Sequence, residues 1–229
     1  MEVKTKWKKQ TKVVASGNFL NRHKYERIFR PDRRFKGNER KELVDKLTSV
    51  ASDAFGMVRK RDDVEQHALN VDMLYLIQCK DVITGFATYD FLYSGGEKVL
   101  YLNGIVVQQC CQQKGIFSKV NKLAMKQDDF DYLAMRTQNP VVYAAASKIV
   151  SKLYPGTTGM PERVKNVGRY LAQHLGSKNF NLGSFVDKGT FGMCFYGEVP
   201  GHKTATSFFT DELKMDLEAG DTVLLVGEK

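Results

Sequence analysis

The chain has 229 residues, of which 42% are hydrophobic and 11% aromatic, and its formal net charge is +9 at pH 7. This composition is ordinary for a globular protein, and the length suffices for one large domain with a real core. No apolar run approaches the roughly 20 residues that a membrane span needs. The first ten residues, MEVKTKWKKQ, are basic but no apolar stretch follows them, so they do not resemble a secretory signal.

The cysteines and histidines do not fall into a metal-binding pattern. Cys110 and Cys111 are adjacent, and none of the four cysteines sits in a CxxC spacing. Adjacent cysteines rarely bridge each other, because the geometry is strained. Scattered thiols without a leader indicate a reducing compartment, so we expect a cytoplasmic protein that binds neither a metal nor a membrane.

Positive charge is concentrated at the N-terminal end. Residues 1–46 contain 15 Lys or Arg and 6 Asp or Glu, whereas the remainder has 20 of each. A solvated basic face, an anionic macromolecular partner and the steering of an anionic ligand are all consistent with this excess. Within it, Val3, Trp7 and the Val13-Val14 pair form short strand-like stretches between lysines.

The first clear element is a helix. Apolar residues recur at helical spacing over Asn38–Phe55, so we predict a helix there, with Asn38 as its N-cap and Gly56 as its stop. Residues 57–70 are charged and are expected to contain a loop.

Three strands in succession are predicted next: Val71–Cys79, Gly85–Tyr93 and Val99–Val107. The turn between the last two is Ser94-Gly95-Gly96-Glu97, and glycine tolerates the positive φ of a tight hairpin. The pattern therefore indicates an antiparallel meander.

The periodicity then changes from two to 3.6. A helix is predicted over Gly115–Gln127, a short strand over Tyr132–Met135 and a second helix over Pro140–Leu153. This order favours parallel pairing of the two strands that flank the first helix, with that helix as the crossover. A further helix over Pro161–Leu175 and two strands, Phe191–Val199 and Thr222–Val226, are expected to complete one mixed α/β sheet with flanking helices.

The segment from Gln112 to Ser118 is the strongest candidate for a binding site. It lies between a strand and an amphipathic helix, where unpaired N–H groups and the positive end of the helix dipole attract anions. Gly115 would allow a phosphate to approach closely, and Lys114 would add a point charge. Many strand-to-helix turns contain a glycine, so the turn alone is weak evidence.

The order of elements and this turn resemble the Gcn5-related N-acetyltransferase (GNAT) superfamily. The pyrophosphate motif of that family is Gln or Arg, two residues, Gly, one residue, then Gly or Ala; here it reads Gln112-Gln113-Lys114-Gly115-Ile116-Phe117. Phe117 departs from the small residue at the last position. The resemblance covers residues 40–155 well; the basic region 1–35 and the C-terminal, acceptor-side region 156–229 match poorly. We expect one domain over residues 1–229.

The resemblance implies acetyl-CoA, or another acyl-CoA, as co-substrate and direct attack of an amine on its thioester. It places pantetheine along the backbone of Ile105, Val106 and Val107, with the Val107 N–H facing the thioester carbonyl, and the diphosphate on the turn that ends in Ser118. Asn139, at the end of the next strand, would contact the cofactor arm. A monomer or a homodimer is expected.

Catalytic residues are harder to select. The family's usual acid is a tyrosine that would fall at Ala146; Tyr143, one helical turn earlier, is the first alternative and Tyr154 the second. A base on the fourth strand is absent, because Tyr101 and Asn103 are poor bases there. Asn103 and Asp90, the latter acting through water, are the candidates for handling the amine, and Asp72 is a further alternative.

Two other functions remain open on the sequence. The chain could be a catalytically weak binding or regulatory module of the same fold that contacts nucleic acid or an acidic protein through its basic end, where Trp7, Tyr25, Phe29 and Phe35 interleave loosely with the charges. A covalent mechanism through Cys110 or Cys111 is disfavoured, because no histidine lies nearby in sequence. The sequence does not indicate which amine would be the acceptor.

Overall fold

A computed structural model describes residues 13–20, 23–127, 129–196 and 200–229. The chain forms two compact units. The first holds the residues up to Asp90 together with Asn103–Ile116, and the second holds Phe91–Leu102 together with Phe117–Lys229. The expectation of one domain over residues 1–229 stays a prediction.

The first unit contains an antiparallel sheet. Its strands are β1 (Val13–Leu20), β2 (His23–Phe29), β3 (Met73–Cys79) and β4 (Val82–Ser94), paired in that order. Lys80 and Asp81 join β3 to β4 with φ values of 51° and 64°. Two successive left-handed residues match the right-handed twist of a tight hairpin, which is why a two-residue connection suffices.

Three helices cover this sheet: α1 (Pro31–Arg34), α2 (Gly37–Phe55) and α3 (Arg61–Leu69). The apolar stripe of α2 is buried with the inner faces of α3 and the strands. Gly56 ends α2 with φ 64°, as predicted. The N-cap prediction was wrong, because Lys36 occupies that position and no side chain caps the helix. The prediction that residues 57–70 contain a loop is confirmed for residues 57–60, and α3, which was not predicted, forms most of the rest.

The second unit contains the parallel strand–helix–strand motif. Residues 91–94 of β4 and residues 97–102 of the next strand, β5 (Glu97–Val107), belong to this unit and are neighbours in the sheet; Gly95 and Gly96, whose φ values are 59° and 93°, join them. The helix α4 (Ile116–Gln127) then leads to β6 (Tyr132–Thr137), which pairs parallel with β5. The predicted fold class, an α/β mixed sheet with an antiparallel meander followed by a parallel strand-helix-strand unit, is confirmed.

The remaining elements complete the sheet of the second unit. They are α5 (Pro140–Ala146), β7 (Lys152–Tyr154), α6 (Glu162–His174), β8 (Val186–Asp187) and β9 (Thr222–Glu228). The strand β9 pairs antiparallel with β6 and with β7, and it also pairs with the short β8. A single turn at Ala205–Ser207 and a π-helical turn at Phe208–Glu212 precede it.

Two predicted elements of this region were wrong. The helix predicted over Pro140–Leu153 ends at Ala146, because the chain beyond Ser151 pairs with β9 instead; the Ser151 N–H donates to the Glu228 carbonyl at 2.9 Å. The strand predicted over Phe191–Val199 is not formed in its described part, where residues 191–196 make bends and turns. The predicted strand Thr222–Val226 is confirmed within β9.

Candidate cofactor and catalytic site

The strand β5 changes its surroundings along its length. Its pairing with β6 runs from Val99 opposite Tyr132 to Leu102 opposite Met135 and ends there. Residues 99–102 are buried, whereas Asn103 is exposed and residues 104–107 are half-buried. In the part of the chain that the structure describes, β5 therefore continues for five residues outside its pairing with β6, and these include Ile105, Val106 and Val107.

The turn after β5 has a backbone that suits an anion. The Gln108 N–H donates to the Thr84 carbonyl at 2.9 Å, and Gln109–Cys111 then form one 3-10 turn. Gln113 and Gly115 have φ values of 59° and 75°, on either side of Lys114. Gln112, which precedes them, is extended, so the two left-handed residues bend the chain sharply before the helix, whose first N–H groups are the ones that suit an anion. Helix α4 begins directly afterwards, at Ile116.

Side chains fix this turn to the end of α2. The Gln112 amide donates to the Val107 carbonyl at 3.0 Å and to the Ala54 carbonyl at 3.4 Å. The Gln109 N–H donates to an Asp53 carboxylate oxygen at 2.8 Å. Gln112, the first residue of the sequence motif, thus holds the turn in shape, while its own N–H bonds the Gln109 carbonyl.

The two expectations for the turn stay predictions. A Cβ added to Gly115 would meet no protein atom within 4 Å, and the φ of 75° is a further reason for glycine at this position. The Lys114 ammonium, expected to add a point charge, donates to the Cys110 carbonyl. Its residue is exposed, so the positive charge stays accessible to an anion.

A diphosphate fits the donors of this turn: unpaired amides at the start of a 12-residue helix and one exposed ammonium. Ile116 is buried and Phe117 and Ser118 are half-buried at the first turn of α4. Phe117, the departure from the family motif, accepts a hydrogen bond from Asn121 on its carbonyl at 2.9 Å. Phe117, Ser118 and Asn139 belong to the second unit, and residues 105–116 to the first.

Asp90 and Asn103 are brought together in the first unit. The Asn103 amide donates to one Asp90 oxygen at 2.8 Å, and the Asp72 N–H donates to the other at 3.1 Å. The Asp72 carboxylate pairs with Arg30 at 3.1 Å. Because the Asn103 nitrogen is engaged, its amide oxygen is oriented away from Asp90 and is free to accept a hydrogen bond from a ligand.

Tyr143 lies on α5 among aromatic rings. Its ring centroid is 5.0 Å from that of Phe208 and 5.6 Å from that of Phe209, and its hydroxyl donates to the Pro155 carbonyl at 3.3 Å. Burial, and to a lesser degree the charge of Glu212, raises the pKa of the phenol. The second alternative, Tyr154, which follows the predicted helix in sequence, is buried on β7.

A second tyrosine was missed by the sequence analysis. The Tyr196 hydroxyl forms hydrogen bonds with the side chains of Asn139 and Thr137, at the end of β6. Protein atoms around the ring raise the pKa of Tyr196, although 37% of the residue's surface is exposed, and these two hydrogen bonds oppose the rise. The Asn139 oxygen itself accepts from the Val141 N–H at 2.9 Å and so caps α5. No local pattern places residue 196 beside residue 139.

Several basic residues of β2, α1 and α2 form ion pairs with acidic residues of the first unit. Lys24 pairs with Asp81 at 2.9 Å, Arg34 with Glu39 at 2.8 Å and Arg40 with Glu65 at 2.6 Å. Their charge is thereby balanced locally, so these positions do not present an uncompensated basic face. Val3, Trp7 and Lys4–Lys12 lie outside the described residues.

Comparison with known proteins gives a weak likeness. No protein-family model and no curated protein matches the sequence. A structure from Pyrococcus horikoshii, named provisionally as an acetyltransferase, has 16% identity and a TM-score of 0.43, over 67% of this chain and 58% of that one. A metagenomic aminoglycoside acetyltransferase in complex with sisomicin has 16% identity and a TM-score of 0.41, over 62% and 92%.

A GNAT family acetyltransferase from Brucella melitensis in complex with acetyl-CoA has 15% identity and a TM-score of 0.34, over 41% of this chain and 69% of that one. This last structure carries in its name the family that the sequence resembles. The identities and TM-scores of the three structures are too low to support an argument about activity, which therefore rests on the residues of the site.

The described residues contain neither a membrane-spanning helix nor a cluster of metal ligands. None of the described helices is long and apolar enough to cross a membrane. Over residues 13–20, 23–127, 129–196 and 200–229, no group of three or more His, Cys, Asp or Glu is placed to hold a metal ion.

Proposed function

We propose that the chain is an acyl-CoA-dependent N-acyltransferase, with acetyl transfer from acetyl-CoA to an amine as its reaction. The observation that carries the proposal is the continuous segment from the half-buried end of β5, through the left-handed turn at Gln113 and Gly115, into the N-terminus of α4. Backbone groups there suit an amide-containing arm and a diphosphate, which are the parts of CoA that an enzyme must hold.

Asn103 and Asp90 are the proposed amine-handling pair. The outward amide oxygen of Asn103 would accept a hydrogen bond from the attacking amine and orient its lone pair toward the thioester. Asp90 holds that amide at 2.8 Å and keeps the oxygen outward. Asp90 also accepts the Asp72 N–H, and its carboxylate is the group proposed to take the amine proton through water.

Tyr143 is the proposed acid for the departing thiolate. A tyrosine phenol, with an ordinary pKa of about 10, is protonated at neutral pH, and the raised pKa of Tyr143 keeps it so. Its proton now bonds the Pro155 carbonyl at 3.3 Å, a long contact that a rotation of the hydroxyl would break. We expect Tyr143→Phe to keep the affinity for acetyl-CoA within about twofold and to lower kcat about tenfold or more.

The binding step is tested first, by titration calorimetry with acetyl-CoA. We expect micromolar affinity for the wild-type protein and a weakening of about tenfold, or about 1.4 kcal/mol, in Lys114→Glu. Lys46→Glu, an exposed charge reversal on α2, is the matched control and should bind like wild type. If the wild-type protein shows neither heat nor thermal stabilisation with excess acetyl-CoA, the proposal is wrong.

The acceptor is tested by screening amines for release of CoA, followed by chromatography of the acetylated product. Polyamines, aminoglycosides, amino acids and protein amines form the panel. Binding of acetyl-CoA without turnover of any amine would instead favour the alternative, a CoA-holding regulatory module of the same fold.

A further inference from the structure

Two thiols lie side by side in the turn that follows β5. Cys110 and Cys111 both belong to the 3-10 turn Gln109–Cys111, and their sulfur atoms are 3.6 Å apart. Cys110 is exposed, whereas Cys111 is buried with 5% of its surface accessible. The proposed acyl transfer uses neither of them.

The covalent geometry of neighbouring residues decides what such a pair can form. Their Cα atoms are about 3.8 Å apart across a trans peptide, which is shorter than the usual disulfide separation of about 4.4–6.8 Å. A bond between them therefore strains the backbone, and strained disulfides are readily reduced again. The pair suits a bond that forms under oxidation and is undone by thiols, not a permanent staple.

We propose that Cys110 and Cys111 form a peroxide-sensitive dithiol site that closes reversibly to a vicinal disulfide. The exposure of Cys110 makes it the thiol that meets the oxidant, and Cys111, 3.6 Å away, is the resolving thiol. Burial raises the pKa of the Cys111 thiol, and a thiol held protonated is the slower one to attack a peroxide.

The reaction balances with hydrogen peroxide as the oxidant. The Cys110 thiolate attacks one peroxide oxygen, the O–O bond breaks, and sulfenic acid and hydroxide form; the hydroxide takes up the thiol proton as water. The Cys111 sulfur then attacks the sulfenic sulfur, the S–O bond breaks, and the second oxygen leaves as water with the Cys111 proton. Two thiols and one peroxide thus give one disulfide and two waters, and two electrons pass to the peroxide.

Closure would act on the turn itself. The peptide between the two cysteines is flanked by the hydrogen bonds Cys111 N–H to Gln108 carbonyl, at 2.8 Å, and Gln112 N–H to Gln109 carbonyl, at 3.1 Å. The Cys110 carbonyl also accepts from the Lys114 ammonium. A change in this peptide is therefore transmitted to the residues that lead into α4.

The test uses the full-length reduced protein and stoichiometric hydrogen peroxide, followed by unfolding, alkylation with N-ethylmaleimide and tryptic mass spectrometry. Cleavage after Lys98 and Lys114 gives one peptide with both cysteines. We expect that peptide to lose two hydrogens and to escape alkylation, while Cys79 and Cys194 are alkylated, and dithiothreitol to restore all four thiols.

Single variants separate the two roles. Cys111→Ser should accumulate sulfenic acid at Cys110, trapped with dimedone, and Cys110→Ser should leave Cys111 unoxidised. Cys79→Ser is the control and should still protect two thiols. Sulfinic acid at Cys110 with Cys111 free, a disulfide from either cysteine to Cys79, Cys194 or a second chain, or four alkylated thiols after peroxide would each overturn the inference.

This thiol chemistry does not rest on the proposed function, so the two can fail separately. Titration of the oxidised protein with acetyl-CoA measures whether the disulfide changes the affinity for CoA. A loss of affinity of about tenfold that dithiothreitol reverses would make the dithiol a regulator of CoA binding. If neither the reduced nor the oxidised protein binds acetyl-CoA, the acyltransferase proposal is wrong, but the dithiol proposal is unaffected.

Discussion

The carboxylate of Asp221 is 2% exposed and is held by three donors: the Lys188 ammonium at 2.6 Å, the Asp216 N–H at 2.8 Å and the Gly189 N–H at 2.8 Å. It therefore ties two earlier segments of the second unit, at residues 188–189 and at Asp216, to the start of β9. We expect Asp221→Asn to lower the free energy of unfolding by about 2 kcal/mol, because a buried charged acceptor is lost and an amide N–H₂ meets N–H donors. Urea unfolding measures the loss. Asp211→Asn, an exposed control, should stay within about 0.5 kcal/mol of wild type.

The same residue should make stability depend on acid. Although burial raises the pKa of Asp221, its bonds to Lys188, Asp216 and Gly189 together hold that pKa below its ordinary value. A lowered folded-state pKa contributes stability that is present above the unfolded value of about 3.9 and is lost as the pH falls through the folded value. The gap in unfolding free energy between wild type and Asp221→Asn should be constant above about pH 5 and shrink below pH 3.9. A gap that does not change down to pH 2 would contradict this assignment.

At the scale of the element, the turn into α4 depends on one left-handed glycine. Gly115 has φ 75° and open space around its Cβ position, so an alanine there meets strain but no clash. We expect Gly115→Ala to cost about 1 kcal/mol and Gly115→Asn less, since asparagine tolerates this conformation. Gly159→Ala, where space is open and no positive φ is required, is the control. Equal stabilities of all three variants in urea would show that the turn is not strained.

In helix α6, by contrast, Gly168 is required because there is no room for a Cβ atom. A Cβ on Gly168 would stand 2.6 Å from Cε1 of the buried Phe185 ring. Alanine gains about 1 kcal/mol of helix propensity, but overpacking costs about 1–3 kcal/mol, so Gly168→Ala should be destabilising by about 1 kcal/mol. A double-mutant cycle with Phe185→Leu checks the cause. The alanine should cost less in the leucine background, and additive effects would exclude the clash.

The elements that sequence patterns predicted correctly are those with strong local signals. The sequence correctly predicted the apolar stripes of α2 and α6, the glycine turn at Gly95 and the switch from strand to helix at α4. The failures have distant causes. Helix α3 is held by Arg40 pairing with Glu65 at 2.6 Å, and β7 exists because β9 pairs with it.

The candidate site divides in the same way. The anion turn could be predicted from Gln112 and Gly115, because a turn and a helix start are local features. Three side-chain contacts could not be predicted, since each depends on which segments the fold brings together. They are the hydrogen bond from Gln112 to the Val107 carbonyl, that from Asn103 to Asp90, and the contact of Tyr196 with Asn139. Local patterns locate backbone chemistry, and tertiary structure decides the side-chain partners.

For the whole molecule, the net charge of +9 predicts salt-dependent association with nucleic acid, whatever the enzyme activity. Residues 1–12 hold five lysines and one glutamate, a net charge of +4, whereas Lys24, Arg34 and Arg40 are paired with acids. We test this by replacing four N-terminal lysines with glutamine, which lowers the net charge from +9 to +5: Lys4, Lys6, Lys8 and Lys9.

A charge-matched variant replaces four lysines that the structure shows exposed elsewhere: Lys152, Lys178, Lys203 and Lys229. Fluorescence anisotropy with duplex and single-stranded DNA, over a series of salt concentrations, compares the two. We expect the N-terminal variant to lose the larger part of the binding and up to about four units of the logarithmic salt slope, with acetyl-CoA affinity unchanged. If both variants lose equal affinity, net charge alone governs the association. The N-terminal region then has no role as a nucleic-acid module, and the acyl-CoA site is left as the basis for function.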